Sequence, residues 1–281
     1  MSIPPTRPDL LPRRLRDTNA LENRLQRIRW LFFDVGSVLM DETLGDEQTR
    51  KQIVRLLALR GHRVPLAAVR NAWDAAIASY DRHVVRGVLN RLVDEQNAAA
   101  VQQELRNLSR PTPPYAETKP TMETFAKRFG TAVIANQPAT IREWAEIAGF
   151  GEAVHLWCLS GELGFGKPDP RIFQYALDHA ACDPKEAAMI GDRLDYDITP
   201  ARKLGILTIR IRRGPHAIQE PRAREEMPDL TTATLTALCR RICLPPETRD
   251  TTDTGGFNVM RETPYPRSGE DGHTHKKTAP A

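Results

Sequence analysis

The chain has 281 residues, and its 40 Lys and Arg against 36 Asp and Glu give a formal net charge of +4. This length is sufficient to bury a large core, and the small charge excess is spread along the chain, which argues against a nucleic-acid-binding protein. No apolar run approaches the length of about 18 residues that a membrane span needs, the N-terminus lacks a secretory signal, and the four cysteines form no CxxC pair, so a cytoplasmic protein with reduced thiols and no membrane association is predicted.

Residues 1–28 form a basic N-terminal extension. Its first half is rich in Pro and Arg, and Leu21, Leu25 and Ile28 follow at helical spacing. A short helix lying on the domain is the simpler interpretation of this spacing. A basic arm for an acidic partner is the alternative.

A buried strand is predicted over residues 29–40, where the apolar run "WLFFDVGSVLM" contains one carboxylate, Asp34. Residues 47 to about 108 then carry three apolar stripes at helical spacing, and Pro65 fits the start of one helix. The proline-rich residues 110–114 end this block. We therefore predict a helical cap domain, residues 42–120, inserted after the first strand.

From residue 121 onward, helices alternate with short apolar strands. Helices are predicted over 121–129, 141–148, 169–179 and 198–203, and strands over 132–135, 154–159, 187–190 and 207–211. This alternation predicts an α/β protein with a doubly wound, mostly parallel sheet, formed by residues 29–41 and 121–243. Residues 244–281 contain few large apolar groups, which predicts a disordered tail.

Polar residues follow four of the predicted strands: Asp34, Asn136, the loop up to Lys167, and Asp192. Each of them alone is compatible with a turn, a helix cap or a solvated surface. Because the carboxyl ends of parallel strands meet at one edge of a sheet, we expect these side chains to lie close together. Two carboxylates with a backbone carbonyl suit Mg²⁺, and a Mg²⁺ site of this kind indicates a phosphorylated substrate. A carboxylate can itself attack phosphorus and form an aspartyl-phosphate.

Four segments in order resemble the motifs of the haloacid dehalogenase-like hydrolases: "FFDVGSVLMD", "VIANQP", "GFGKPDPRIF" and "MIGDRLDYDITPARKLGI". The resemblance implies a Rossmann-like core with a helical cap and, for most members, Mg²⁺-dependent phosphatase activity on a small phosphorylated metabolite. By that resemblance Asp34 is the nucleophile and a metal ligand, and Lys167 balances charge. Asp192 binds Mg²⁺, directly or through water, and Asp197 supports it.

Two residues depart from the family's pattern. Gly36 stands where phosphatases of the family carry a proton-donating aspartate, although its backbone carbonyl can still bind the metal. Ala135 stands where a hydroxyl would hold the phosphoryl group, so Ala135 and Asn136 are the candidate phosphate-binding positions. Losing a general acid costs roughly 10² to 10⁴ in rate, and losing one preorganised donor roughly 10² to 10³.

These departures leave several hypotheses open. The enzyme is slow or selective for good leaving groups, or Asp41, Glu42 or a cap residue supplies the proton. Alternatively, the chain is a catalytically weakened member that binds a phosphorylated ligand or a protein partner. A third hypothesis, metal-independent dehalogenation, conflicts with the acids of "GDRLDYD", which would repel an anionic haloacid. The sequence does not predict an oligomeric state.

Overall fold

The structure, a computed structural model, describes residues 17–106 and 112–243. The predicted tail, residues 244–281, and most of the predicted basic extension, residues 1–16, lie outside the described residues. The part of the extension that is described includes the predicted helix, whose Leu21 and Leu25 pack against the core.

One parallel sheet of six strands forms the core of the described chain. Its strands are β1 (Trp30–Phe33), β2 (Gly130–Ala135), β3 (Leu156–Leu159), β4 (Ala187–Gly191), β5 (Leu207–Ile211) and β6 (Leu230–Thr232). They are ordered β3-β2-β1-β4-β5-β6, and every pairing is parallel. The predicted α/β, Rossmann-like fold is confirmed. Strand β6 was not predicted, because three residues are too few to establish a pattern.

The helices lie between and around these strands. They are α1 (Asp17–Leu25), α2 (Thr43–Ala58), α3 (Leu66–Ala78), α4 (Val84–Leu92), α5 (Glu95–Leu105), α6 (Thr118–Ala126), α7 (Ile141–Ile147), α8 (Ser160–Leu163), α9 (Pro170–Ala180), α10 (Thr199–Lys203) and α11 (Leu235–Cys243). Successive residues of β1 point to opposite faces: Phe33 belongs to an apolar cluster that contains residues of α1, α6, α7 and α11, whereas Phe32 belongs to one that contains residues of α9 and α10. The sheet is therefore wrapped on both sides.

The first strand is shorter than predicted. It ends at Phe33, and the backbone N–H groups of Leu39 and Met40 both donate to the Val35 carbonyl, which closes a turn. The apolar residues of this turn are buried, so the prediction of burial was right and the prediction of an extended strand over 29–40 was wrong. An apolar run reports burial, but it does not distinguish a strand from a buried turn.

Helices α2–α5 form the inserted cap and have an apolar core of their own, which includes Ile53, Leu57 and Leu89. The two chain segments that connect the cap lie side by side, because Asp41 N donates to Pro113 O at 2.8 Å. The range predicted for the cap, 42–120, also takes in the first turn of α6, which packs on the sheet. None of the helices in the described ranges has the length and apolarity needed to cross a bilayer.

The separate core of the cap predicts a contrast between two leucines of one helical segment. Leu57 is fully buried, whereas Leu59, at the end of α2, is 73 % exposed. We expect Leu57→Ala to lower the free energy of unfolding by about 2–5 kcal/mol, because it leaves a cavity, and Leu59→Ala to change it by less than about 0.5 kcal/mol. Urea unfolding of both variants measures this, and equal losses would contradict it.

Candidate active site

The candidate site lies where the strand order reverses, between β1 and β4. Phe33 is in register with Ile190, and Asp34 N donates to Ile190 O at 2.9 Å. Asp34 and Asp192 therefore leave neighbouring strands at the same edge of the sheet. In open α/β sheets this crevice is the place where ligands bind.

A buried lysine joins two of the predicted acids. Lys167 Nζ donates to Asp34 Oδ1 at 2.6 Å and to Asp197 Oδ1 at 2.5 Å, and only 3 % of its side chain is exposed. Burial by itself would lower the pKa of Lys167, but the charges and hydrogen bonds of Asp197 and Asp34 outweigh it and raise the pKa. The ammonium group therefore keeps its charge inside the protein.

Three carboxylates gather around this lysine. Asp34, Asp192 and Asp197 each offer an oxygen, and these atoms lie within 4.8 Å of one another. Burial raises the pKa of Asp192 well above its ordinary value, and the charges of Asp34, Asp197 and Glu42 raise it further. Burial also raises the pKa of Asp197 to about 6, although Lys167 opposes this shift. Ionisation of all three carboxylates is therefore unfavourable, because Lys167 can balance only one of them.

Asp197 has both of its oxygens engaged by the protein. Oδ1 accepts from Lys167, and Oδ2 accepts from Arg193 N at 3.0 Å. A π-helical turn, Leu194–Ile198, brings Asp197 back toward β4, and a Cβ at Gly191 would lie 2.3 Å from Asp197 Cβ. Gly191 therefore permits the close approach that lets Asp197 support Lys167.

The donor set fits a hard divalent cation. With all three carboxylates ionised, one ammonium leaves two negative charges uncompensated in a buried site, which is costly unless a cation binds there. Carboxylate oxygens are the ligands that Mg²⁺ prefers. Since both oxygens of Asp197 accept from protein donors, Asp34 and Asp192 are the carboxylates best able to bind the cation directly.

The second motif contributes to the position of the lysine. The side chain of Asn136 accepts from Lys167 N and donates to Lys167 O, both at 2.7 Å. Its amide is thus committed to the lysine backbone and is not directed at a phosphate. Ala135 ends β2 with a buried methyl group, and Gly36 lies in the turn after β1.

Arg213 was not predicted as part of this region. It donates from Nε to Ser37 O at 2.9 Å, donates to Val38 O, pairs with Glu117 and stacks on Tyr115. It thereby holds the turn that follows Asp34. Its position directly after β5, at the same edge of the sheet as Asp34, was the signal available in the sequence.

The fold and site together define a hydrolase of the α/β type whose carboxylates and lysine meet at the switch point beneath a helical cap. Residues 28–205 match the haloacid dehalogenase-like hydrolase family. Because this match covers more than half of the chain, the chain belongs to that family. The family and enzyme class predicted from the four motifs are confirmed.

Individual relatives agree with this assignment. The chain is 25 % identical to a glyceraldehyde 3-phosphate phosphatase of Methanocaldococcus jannaschii over 69 % of this chain and 89 % of that protein. It is 38 % identical to a phosphoserine phosphatase of Thermus thermophilus, but over only 40 % of this chain and 45 % of that protein. The hydrolase YfnB of Bacillus subtilis, solved bound to magnesium, has the same fold, with a TM-score of 0.56, 17 % identity, and coverage of 78 % of this chain and all of that one.

The raised pKa values predict how stability depends on pH in the absence of metal. Native Asp192 and Asp197 hold protons that the unfolded chain has already released. The free energy of unfolding should therefore fall as the pH rises from about 4 past 6, by up to about 1.4 kcal/mol per pH unit for each retained proton. We expect Asp192→Asn to weaken this dependence and to be more stable than wild type at about pH 8.

Urea unfolding with a chelator at about pH 5 and about pH 8 measures this difference. Asp195→Asn is the matched control, because Asp195 belongs to the same loop but pairs with Arg193 at 2.7 Å outside the cluster. An unchanged pH dependence in Asp192→Asn would show that Asp192 does not retain a proton in the native protein.

Proposed function

We propose that the chain is a Mg²⁺-dependent phosphohydrolase that acts on a small phosphorylated metabolite through an aspartyl-phosphate on Asp34. The observation that carries this proposal is the Lys167 ammonium, buried between Asp34 and Asp197 beside Asp192. A nucleophilic carboxylate must approach an anionic phosphoryl group, so positive charge is needed between them. Lys167 supplies one such charge at a fixed position.

In this proposal Asp34, Asp192 and the Gly36 carbonyl hold the cation, and Asp197 supports Lys167. When bound, Mg²⁺ neutralises the carboxylates and the phosphoryl oxygens. The Asp34 carboxylate attacks phosphorus, and Lys167 stabilises the charge on the transferred group. Asn136 fixes the backbone of Lys167 through its two hydrogen bonds.

The substrate class rests on the relatives and on the space beneath the cap. Two curated relatives are named for the phosphates of small metabolites, glyceraldehyde 3-phosphate and phosphoserine. A cavity of about 630 Å³ is lined by Lys167 and Gly166 of the core and by Tyr80 and Arg82 of the inserted segment, and its size suits a small molecule. The four free cysteines support a reducing, cytoplasmic location. The partners proposed here are such metabolites, with no nucleic acid or membrane.

The departures at Gly36 and Ala135 bear on the rate rather than on the reaction. Ala135 at the end of β2 carries no hydroxyl, and the Asn136 amide is engaged by Lys167. At Ala135 and Asn136, backbone N–H groups rather than side chains would therefore hold the phosphoryl oxygens. We therefore propose a slower enzyme that favours good leaving groups.

A phosphate-ester panel that includes acyl phosphates tests the reaction. With Mg²⁺, we expect turnover by the wild type and a loss of at least about 10³-fold in kcat for Asp34→Asn, since no nucleophile remains. Asp94→Asn is the control, because Asp94 only caps α5 through Asn97 N. Absence of turnover above the Asp34→Asn level would refute the proposal. Stabilisation by a phosphorylated ligand without turnover would favour the alternative of a binding protein.

Metal binding has a test that is independent of activity. Mg²⁺ should raise the melting temperature of the wild type, because a ligand of the native state stabilises it by about 2.7 kcal/mol at 100 times its Kd. Asp192→Asn should gain much less, since it lacks one ligand and one excess charge. Equal shifts in both proteins would place the cation elsewhere.

A further inference from the structure

We infer that Glu42 protonates the leaving group in place of the acid that position 36 lacks. This inference rests on the proposed phosphohydrolase function. It also selects one residue among the donors that the sequence left open. Its basis is the space that the Glu42 carboxylate occupies.

The carboxylate of Glu42 lies where a side chain at position 36 would begin. A Cβ built on Gly36 would be 2.8 Å from Glu42 Oε2 and 3.1 Å from both Oε1 and Cδ. Real Cβ atoms essentially never approach another atom to 2.8 Å, so a side chain at position 36 would displace the Glu42 carboxylate from this place. The glycine therefore admits a carboxylate from elsewhere in the chain.

Glu42 is held in this place. Ser37 Oγ donates to Glu42 Oε2 at 3.0 Å, and Arg213 fixes the same turn through the Ser37 carbonyl. Glu42 directly precedes α2, so its backbone is anchored at the start of a helix. A positioned acid of this kind is what proton transfer requires.

The Glu42 carboxylate lies close to the acid cluster and to the cap. It lies against Gly36, two residues after Asp34, and is therefore near the acid cluster. It also lines a second cavity, of about 310 Å³, together with the cap residues Trp73 and His83 and with Pro215 and His216 of the core. A leaving group that extends from Asp34 toward this cavity would pass the Glu42 carboxylate, which lies against Gly36, two residues after Asp34.

The neighbouring acid is directed differently. Asp41 Oδ1 accepts from Thr43 N at 3.0 Å and so caps the first turn of α2. Asp41 does not line the cavity. Of the two acids that follow the turn, Glu42 is therefore the one in reach of the leaving group.

The proton balance of the reaction is simple. As the Asp34 oxygen bonds to phosphorus and the bond from phosphorus to the ester oxygen breaks, the Glu42 carboxyl gives its proton to that oxygen, and the alcohol departs. Water then attacks the phosphorus of the aspartyl-phosphate and gives a proton to the Glu42 carboxylate. Release of phosphate restores the Asp34 carboxylate and the Glu42 acid.

The dependence on the leaving group tests this role. Glu42→Gln keeps the shape and a polar partner for Ser37 but cannot donate a carboxyl proton. We expect its kcat/KM to fall by about 10²-fold or more on an alkyl phosphate such as glycerol phosphate, whose alkoxide is a poor leaving group. On acetyl phosphate, whose leaving group needs no proton, the fall should be less than about tenfold. Asp41→Asn is the matched control and should affect both substrates equally.

A second pair of variants tests the shared volume. Gly36→Asp alone should lower activity, because its side chain meets the Glu42 carboxylate. Combined with Glu42→Ala, which removes that carboxylate, Gly36→Asp should raise turnover of the alkyl phosphate above that of Glu42→Ala alone. Melting curves verify that each variant is folded.

The outcomes separate the two claims. An equal loss on both substrates in Glu42→Gln, a selective loss in Asp41→Asn, or faster alkyl ester hydrolysis in Gly36→Asp alone would overturn the role of Glu42 and leave the phosphohydrolase intact. If the wild type hydrolyses no phosphate at all, the proposed function fails and this inference fails with it.

Discussion

The ammonium group of Lys167, buried between two carboxylates, is the interaction on which the rest of the site depends. A buried charge is tolerated only when it is paired and hydrogen-bonded, and removing one partner leaves a costly unpaired charge. The lysine must therefore reach Asp34 after β1 and Asp197 after β4 at once. Only a parallel sheet in which β1 and β4 are neighbours brings these residues to one edge.

This one ammonium group does not balance all of the carboxylates that surround it. Lys167 balances one carboxylate of three, and burial of Asp192 and Asp197 makes their ionisation unfavourable, as their raised pKa values indicate. The repulsion within such a cluster destabilises the metal-free protein. The same excess of carboxylates would favour the binding of a cation. The site also keeps Asp34 close to a fixed positive charge, which is the condition for its attack on an anion.

The sequence predicted the parts of the site that sit at strand ends. Asp34 and Asp192 follow apolar runs, Lys167 ends the loop after a third such run, and the convergence of parallel strands at one edge predicted their proximity. The sequence did not predict that the Asn136 amide serves the backbone of Lys167, or that a π-helical turn carries Asp197. Both depend on contacts between separate loops, which no local pattern records.

The turn that shortened β1 also changes what the glycine after Asp34 means. By comparison with the family's motif, Gly36 stands at the position where a proton-donating aspartate is expected. In the folded chain, the reversal at Val35 and the bond from Asp41 to Pro113 return the backbone toward Asp34, so that Glu42 reaches the space beside Gly36. A side chain at position 36 would displace the Glu42 carboxylate from the place that it occupies beside the glycine. The missing side chain at position 36 and the presence of the Glu42 carboxylate therefore belong together. In the mechanism we infer, the chemistry depends on which carboxylate occupies this space, and not on which position of the motif carries the carboxylate.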